Sequence, residues 1–162
     1  LWLALLARLA AAGQVVLRGA VAHLPSHGAQ LSATEERIAQ KVAPALASAG
    51  FEGAWARDLA RDAGEPEPLV RTTLSRLARR GELHQVVKDL FYPLPAMAQL
   101  AALARQVGQA HHGVVLAAQF RDMTGLGRKR AIQILEYFDR IGFTRRVADM
   151  HRLRGDCALF EV

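Results

Sequence analysis

Apolar positions along the chain fall into a recurring order: a stretch with helical spacing, a glycine that stops it, then two short strand-like runs parted by a brief polar or small-residue break. The glycines are Gly13, Gly81 and Gly142. Seven and four residues before them stand Leu6 and Leu9, Leu74 and Leu77, and Leu135 and Phe138, a spacing that puts each pair on one helix face. After each glycine come Val15 to Leu17 then Val21 to Leu24, Leu83 to Val87 then Leu90 to Tyr92, and Phe143 to Val147 then Met150 to Leu153, each predicting a β-hairpin.

The glycines recur 68 and then 61 residues apart, too far for a helical-pair solenoid and right for a small complete domain. Ahead of the second hairpin, 33–49, 54–63 and 66–80 read as helices, the first opened by a capping box from Ser32 to Glu35. Ahead of the third, 97–109, 116–123 and 127–141 read as helices, with a break at 108–113. Three helices followed by a hairpin is the winged-helix plan. The fold class expected is mainly α with small β-hairpins, as tandem winged-helix domains of the helix-turn-helix type. Residues 1–31 are then the C-terminal part of a truncated domain, 32–94 a whole one, and 95–162 the last. A generic helical bundle with chance glycine stops leaves the hairpins unexplained.

Composition agrees. Of 162 residues 51% are hydrophobic but only 6% aromatic, which provides for small cores and favours packed helices over a β-sandwich. The single cysteine, Cys157, excludes an internal disulfide or a multi-cysteine zinc site and points to a reducing compartment, the cytoplasm. The apolar run at the N-terminus, interrupted by Arg8, is far shorter than the roughly 20 residues a bilayer span needs, and no basic segment precedes it as in a signal peptide. The chain reads as a piece of a longer parent, without a membrane partner.

Charge changes the picture most. Lys and Arg total 21 against 15 acids, a formal +6 with a sequence pI near 10.4. From Arg121 to Arg154 there are nine cations and four acids, against twelve and eleven elsewhere. In a helix-turn-helix unit the third helix turns its polar face to nucleic acid. At 100° per residue Ala131, Ile134, Leu135, Phe138 and Ile141 gather on one side of that helix, with Lys129, Gln133, Glu136 and Arg140 opposite. Thr124-Gly125-Leu126-Gly127 marks its entry, where glycine lets a phosphate approach the backbone and the first N–H groups point outward. Arg128, Lys129 and Arg130 stand in that first turn, against the helix dipole, as though an anion were expected there. Thr144, Arg145, Arg146, His151, Arg152 and Arg154 continue the theme in the wing. In the middle unit, Arg71, Arg76, Arg79, Arg80 and Lys88 are offset by Glu65, Glu67, Glu82 and Asp89, predicting a spacer or secondary contact.

The stretch GLGRKRAIQILEYFDRIGFTRRVADMHRLRGDCALF, Gly125 to Phe160, closely resembles the C-terminal end of the SelB family, the bacterial selenocysteine-specific translation elongation factors. The matching residues are Gly127 to Lys129, Ala131 to Arg140, Gly142 and Thr144 to Arg146. The resemblance implies that the last domain binds the messenger-RNA hairpin that recodes UGA as selenocysteine. The absent N-terminal part would bind GTP and selenocysteinyl-tRNA and work on the ribosome. This chain has no GxxxxGK[ST] loop, so no GTPase site carries over; the fragment is expected to be a monomer without cofactor or catalysis.

A hairpin RNA is read by shape and by bases splayed from its loop. Arg128, Lys129, Arg145, Arg146 and Arg152 are therefore candidate phosphate contacts, and Gln133, Thr144 and His151 candidate base or sugar contacts, with Gly127 and Arg130 completing the RNA-binding set. Tyr137, at the edge of the stripe, suits stacking or the core equally. His111 and His112 lack partners at metal-ligand spacing. Cys157 and His151 lack the orienting group and oxyanion hole of a nucleophilic site. Trp2 and Trp55 read as packing residues. Two other functions fit a basic winged helix. A DNA-binding regulator would favour a symmetric dimer, for which the sequence gives no sign, and a protein-interaction scaffold predicts no salt-dependent RNA binding.

Overall fold

The computed structural model describes residues 2–18, 21–24 and 30–160, so parts of the expectation for residues 1–31 lie outside the described residues. The chain divides into two compact units, Leu1–Leu94 and Pro95–Val162. Helix α1 (Trp2–Ala11) is followed by strands β1 (Val16–Arg18) and β2 (Val21–His23), which pair antiparallel. Then come α2 (Ala33–Ser48), a 3-10 turn (Gly50–Glu52), β3 (Ala54–Trp55), α3 (Ala56–Ala63), α4 (Glu67–Arg79), β4 (Leu83–Val87) and β5 (Leu90–Pro93). The second unit holds α5 (Leu94–Ala110), β6 (Val114–Val115), α6 (Ala117–Thr124), α7 (Arg128–Ile141), β7 (Thr144–Val147) and β8 (Met150–Leu153).

Both units form a three-stranded antiparallel sheet in which the last strand is central, β3-β5-β4 and β6-β8-β7. This is the winged-helix arrangement twice over. Each also contains a two-residue strand, just ahead of α3 in the first and of α6 in the second, that the hydrophobic pattern does not predict; Ala54 and Trp55, expected at a helix start, belong to such a strand.

The stop glycines behave as their spacing predicts. Gly13, Gly81 and Gly142 have φ of 70°, 76° and 85°. The residue after each donates its N–H five residues back, Gln14 to Leu9, Glu82 to Leu77 and Phe143 to Phe138. That bond with a left-handed glycine is the Schellman ending, which turns the chain sharply from helix into wing. At the other end of a helix, Ser32 and Glu35 form the expected capping box on α2.

The first core gathers Ile38, Val42, Leu46, Leu59, Val70, Leu74 and Phe91. In the second unit Phe138, fully buried, meets Phe120, Phe143 and Phe160 edge-on at 6.5, 4.9 and 6.1 Å. Ala131, Ile134, Leu135 and Phe138 face that core, while Lys129, Glu136 and Arg140 are exposed and Gln133 half-buried, as the helical spacing predicts. The aromatic cluster thus fixes which face of α7 meets solvent.

Candidate nucleic-acid interface

The start of α7 is built by its neighbours. Gly125 caps α6 in the left-handed region at φ 71°, and the Thr124 hydroxyl donates to the Phe120 carbonyl at 2.8 Å. Leu126 is buried and anchors the turn from below. Gly127 is the N-cap of α7 with no side-chain cap bond, so the cap residue itself supplies no oxygen to the N–H groups of the first turn. Arg128 and Lys129 are exposed there and Arg130 is half-buried. Arg128 and Arg121 border a hollow of about 290 Å³ between α6 and α7, floored by Ala117, Ala118, Ala131 and Ile132.

The wing divides its residues between two faces. Alternation along β7 and β8 puts the pairs Thr144–Leu153 and Arg146–His151 on the face toward α7, with Arg146 itself exposed, and Arg145–Arg152 and Val147–Met150 on the outward face. Thr144 and His151, candidate base or sugar contacts, are buried at 1% and 7% exposure, which leaves them little surface to offer a partner. Both are bound to Asp139 in the last turn of α7. The Thr144 hydroxyl donates to Oδ1 at 2.6 Å, and His151 Nδ1 lies 2.7 Å from Oδ2. An ionised carboxylate only accepts, so Nδ1 carries the proton. Sequence reasoning passed over Asp139, although it follows Leu135 by four residues and so falls where α7 buries its stripe. Arg146 reaches back, donating to the Ala148 carbonyl at 3.1 Å and standing 3.9 Å from Glu136.

The two units differ in how their cations are used. In the first, Arg37 and Lys41 pair with Glu65, Arg61 with Asp58 and Asp62, Arg71 with Glu67 and Asp89, Arg76 with Glu35, and Arg80 with Glu82. Glu65 is held down to about 2 by its hydrogen bonds from Arg37 and Lys41. In the second unit Arg128, Lys129, Arg145 and Arg152 have no acidic partner among the described residues. Two exposed cations at a helix start and two on the wing thus lack an internal counter-ion, and an anion would supply one at each place.

Residues 31–92 match the family model described as the winged-helix domain of the selenocysteine-specific elongation factor, and 109–153 the one described as the winged helix of elongation factor SelB. A solved structure, the mRNA-binding domain of elongation factor SelB from Escherichia coli in complex with SECIS RNA, is 44% identical. It superposes with a TM-score of 0.70, covering 76% of this chain and 99% of that one. The chain belongs to the SelB family. The selenocysteine-specific elongation factor of Escherichia coli is 46% identical over 138 residues, covering 85% of this chain, and that of Haemophilus influenzae 33% identical over 132 residues, covering 82%. The chain spans 22% and 21% of the length of those two relatives.

The remaining candidates of this SelB-family chain resolve as structural parts. Tyr137 is buried, its hydroxyl pushed up to about 12 by that burial, and Arg140 lies 5.2 Å from its ring centroid. It is a core residue, not a free stacking platform. Burial likewise raises the Cys157 thiol, the opposite of an activated nucleophile. His111 hydrogen-bonds Gln119. Among the described residues no cluster of His, Cys, Asp and Glu is placed to hold a metal, and no helix is long and apolar enough to cross a membrane. Trp55 is 37% exposed and Trp2 68%, so neither is a buried core residue of its unit.

Proposed function

We propose that this chain is the messenger-RNA-binding end of a selenocysteine-specific elongation factor. Its last winged-helix domain, residues 95–162, grips a selenocysteine-insertion hairpin; residues 32–94 form a spacer domain, and 1–31 the end of a preceding one. The observation that carries the reading is the set Arg128, Lys129, Arg145 and Arg152, exposed and without an acidic partner among the described residues, whereas the sister unit pairs most of its cations with acids. The Escherichia coli relative, solved with SECIS RNA, supports the choice of ligand.

Arg128 and Lys129 supply charge beside the open N–H groups of α7, where a phosphate is favoured by the helix dipole as well. Gln133, one turn further, is the candidate for a base edge, and Arg145, Arg146 and Arg152 take backbone phosphates. Thr144 and His151 contribute by holding the wing. GTP, selenocysteinyl-tRNA and the ribosome would be engaged by the rest of a SelB protein in the cytoplasm, with this chain supplying the address.

The test is affinity for a selenocysteine-insertion hairpin, a loop-substituted version and duplex DNA of similar length across several salt concentrations. The expected result is strong preference for the intact loop. Equal, steeply salt-dependent affinity for all three would leave only a nonspecific basic surface.

A further inference from the structure

Arg145 and Arg152 face one another across the wing. They are direct partners in the β7–β8 ladder, which brings their Cβ atoms to about 5 Å. Both are exposed, and neither has an acidic partner among the described residues. In the first unit the corresponding wing pair, counted from the hairpin turn along the returning strand, is His84 and Tyr92, both buried. Like charges directly opposed destabilise a hairpin, so something must hold this pair together.

Asp139 ties the two strands to α7. Its two oxygens bind Thr144 and His151 at 2.6 and 2.7 Å, and these are the chain neighbours of Arg145 and Arg152. One carboxylate thus ties both strands to α7, and alternation sends the next residue of each strand outward. The other outward pair, Val147 and Met150, is apolar and 37% and 43% exposed, so the face offers one site of concentrated positive charge with an apolar shoulder.

We propose that Arg145 and Arg152 jointly bind a single backbone phosphate on the outer face of the wing, and that Asp139 is the positioning residue that keeps the pair opposed when no phosphate is there. Two guanidinium forks aimed at one anion give charge-assisted, geometrically defined hydrogen bonds. The inference rests on the RNA-binding reading only for what carries the phosphate.

The deciding experiment compares the 162-residue chain with Arg145→Gln, Arg152→Gln and the double variant, measuring hairpin RNA affinity against salt. One shared phosphate predicts that either single change weakens binding roughly tenfold and the double change scarcely more, with the log–log salt slope falling by about 0.7 to 0.9 once. Losses that multiply, with a slope that falls twice, would mean two separate phosphates and overturn the proposal. Without polyanion at low salt, either single variant is expected to melt higher than the parent, because one of two opposed cations is gone; an unchanged or lower Tm counts against it. Asp139→Asn, at a temperature where melting shows it folded, should make the two arginine losses independent; retained non-additivity would remove Asp139 from the proposal. Orthophosphate is the separate probe. If it raises the Tm of the parent and not of the double variant while hairpin selectivity is missing, the phosphate site stands and only the proposed function falls.

Discussion

His151 Nδ1 lies 2.7 Å from Asp139 Oδ2, joining the returning strand of the wing to the last turn of α7. The Thr144 hydroxyl takes the other oxygen, so one carboxylate satisfies two buried donors. Asp139→Ala removes the acceptor for both. Each buried donor left unsatisfied costs about 1–3 kcal/mol, and the variant is expected to lose about 3 kcal/mol of stability in its second unit. Asn keeps one acceptor and should lose about half as much. Calorimetry is the suitable readout, because both tryptophans, Trp2 and Trp55, lie in the other unit. A loss below about 1 kcal/mol for the alanine variant would show that the pair does not hold the wing.

The contrast in cation use between the units separates two kinds of arginine and lysine. Lys129→Gln touches no internal partner, so stability should stay within about 0.5 kcal/mol while hairpin affinity drops and the salt slope shrinks by the share of one phosphate. Arg76→Gln should do the reverse. It leaves Glu35, whose side chain is 8% exposed, without its 2.8 Å partner, and the first unit should lose about 1–2 kcal/mol, the buried-pair figure being discounted for the exposure of Arg76. RNA affinity should not change. Isothermal titration and denaturation on the same two variants would expose any crossover that defeats this division.

His84 makes the first unit sensitive to acid. Burial pushes its imidazole down from the ordinary 6.5 to about 4, because the charged ring is disfavoured away from water. Between those values the unfolded chain binds a proton that the folded one refuses. The His84 contribution is therefore fully present above pH 6.5, falls away toward pH 4, and levels off below it. The window is worth at most about 3 kcal/mol. His84→Leu should flatten that part of the stability curve relative to the parent, and parallel curves from pH 7 to 4 would assign the acid sensitivity elsewhere.

Much of this was legible because a few residues have no alternative use. Gly13, Gly81 and Gly142 end helices in a conformation that side chains resist, and their spacing alone revealed a repeated domain. What stayed hidden depended on partners distant in sequence. Strands β3 and β6 are two residues each, too short to show a period, and exist only because β5 and β8 offer an edge. The candidate site was legible as a basic concentration, but not as a division of labour. Thr144 and His151 have side chains that commonly read nucleic acid, yet strand alternation turns them inward onto Asp139. Their arginine neighbours are turned outward by the same rule. The 3.6-residue period of α7 carried the signal for Asp139, an acid standing where the helix buries its stripe.

The tightest packing prediction concerns Gly53, in the turn that leads into β3. Its backbone, at φ 72° and ψ −179°, occupies a region open essentially to glycine, and a side chain there costs about 1–3 kcal/mol. A Cβ at this position would stand 2.6 Å from Cε2 and Cζ of Tyr92. The ring cannot swing aside cheaply, since Tyr92 is fully buried and its hydroxyl donates to the Phe51 carbonyl at 2.8 Å. Overpacking adds about 1–3 kcal/mol, so Gly53→Ala should destabilise the first unit by about 3 kcal/mol in all. That corresponds to a fall in Tm of more than about 10 °C for a domain of this size. Tyr92→Phe removes only the hydrogen bond and should cost about 1 kcal/mol. With the RNA surface assigned to the second unit, hairpin affinity at low temperature should be the same in Gly53→Ala as in the parent. A parallel loss of affinity would mean that the middle domain contributes to RNA binding after all.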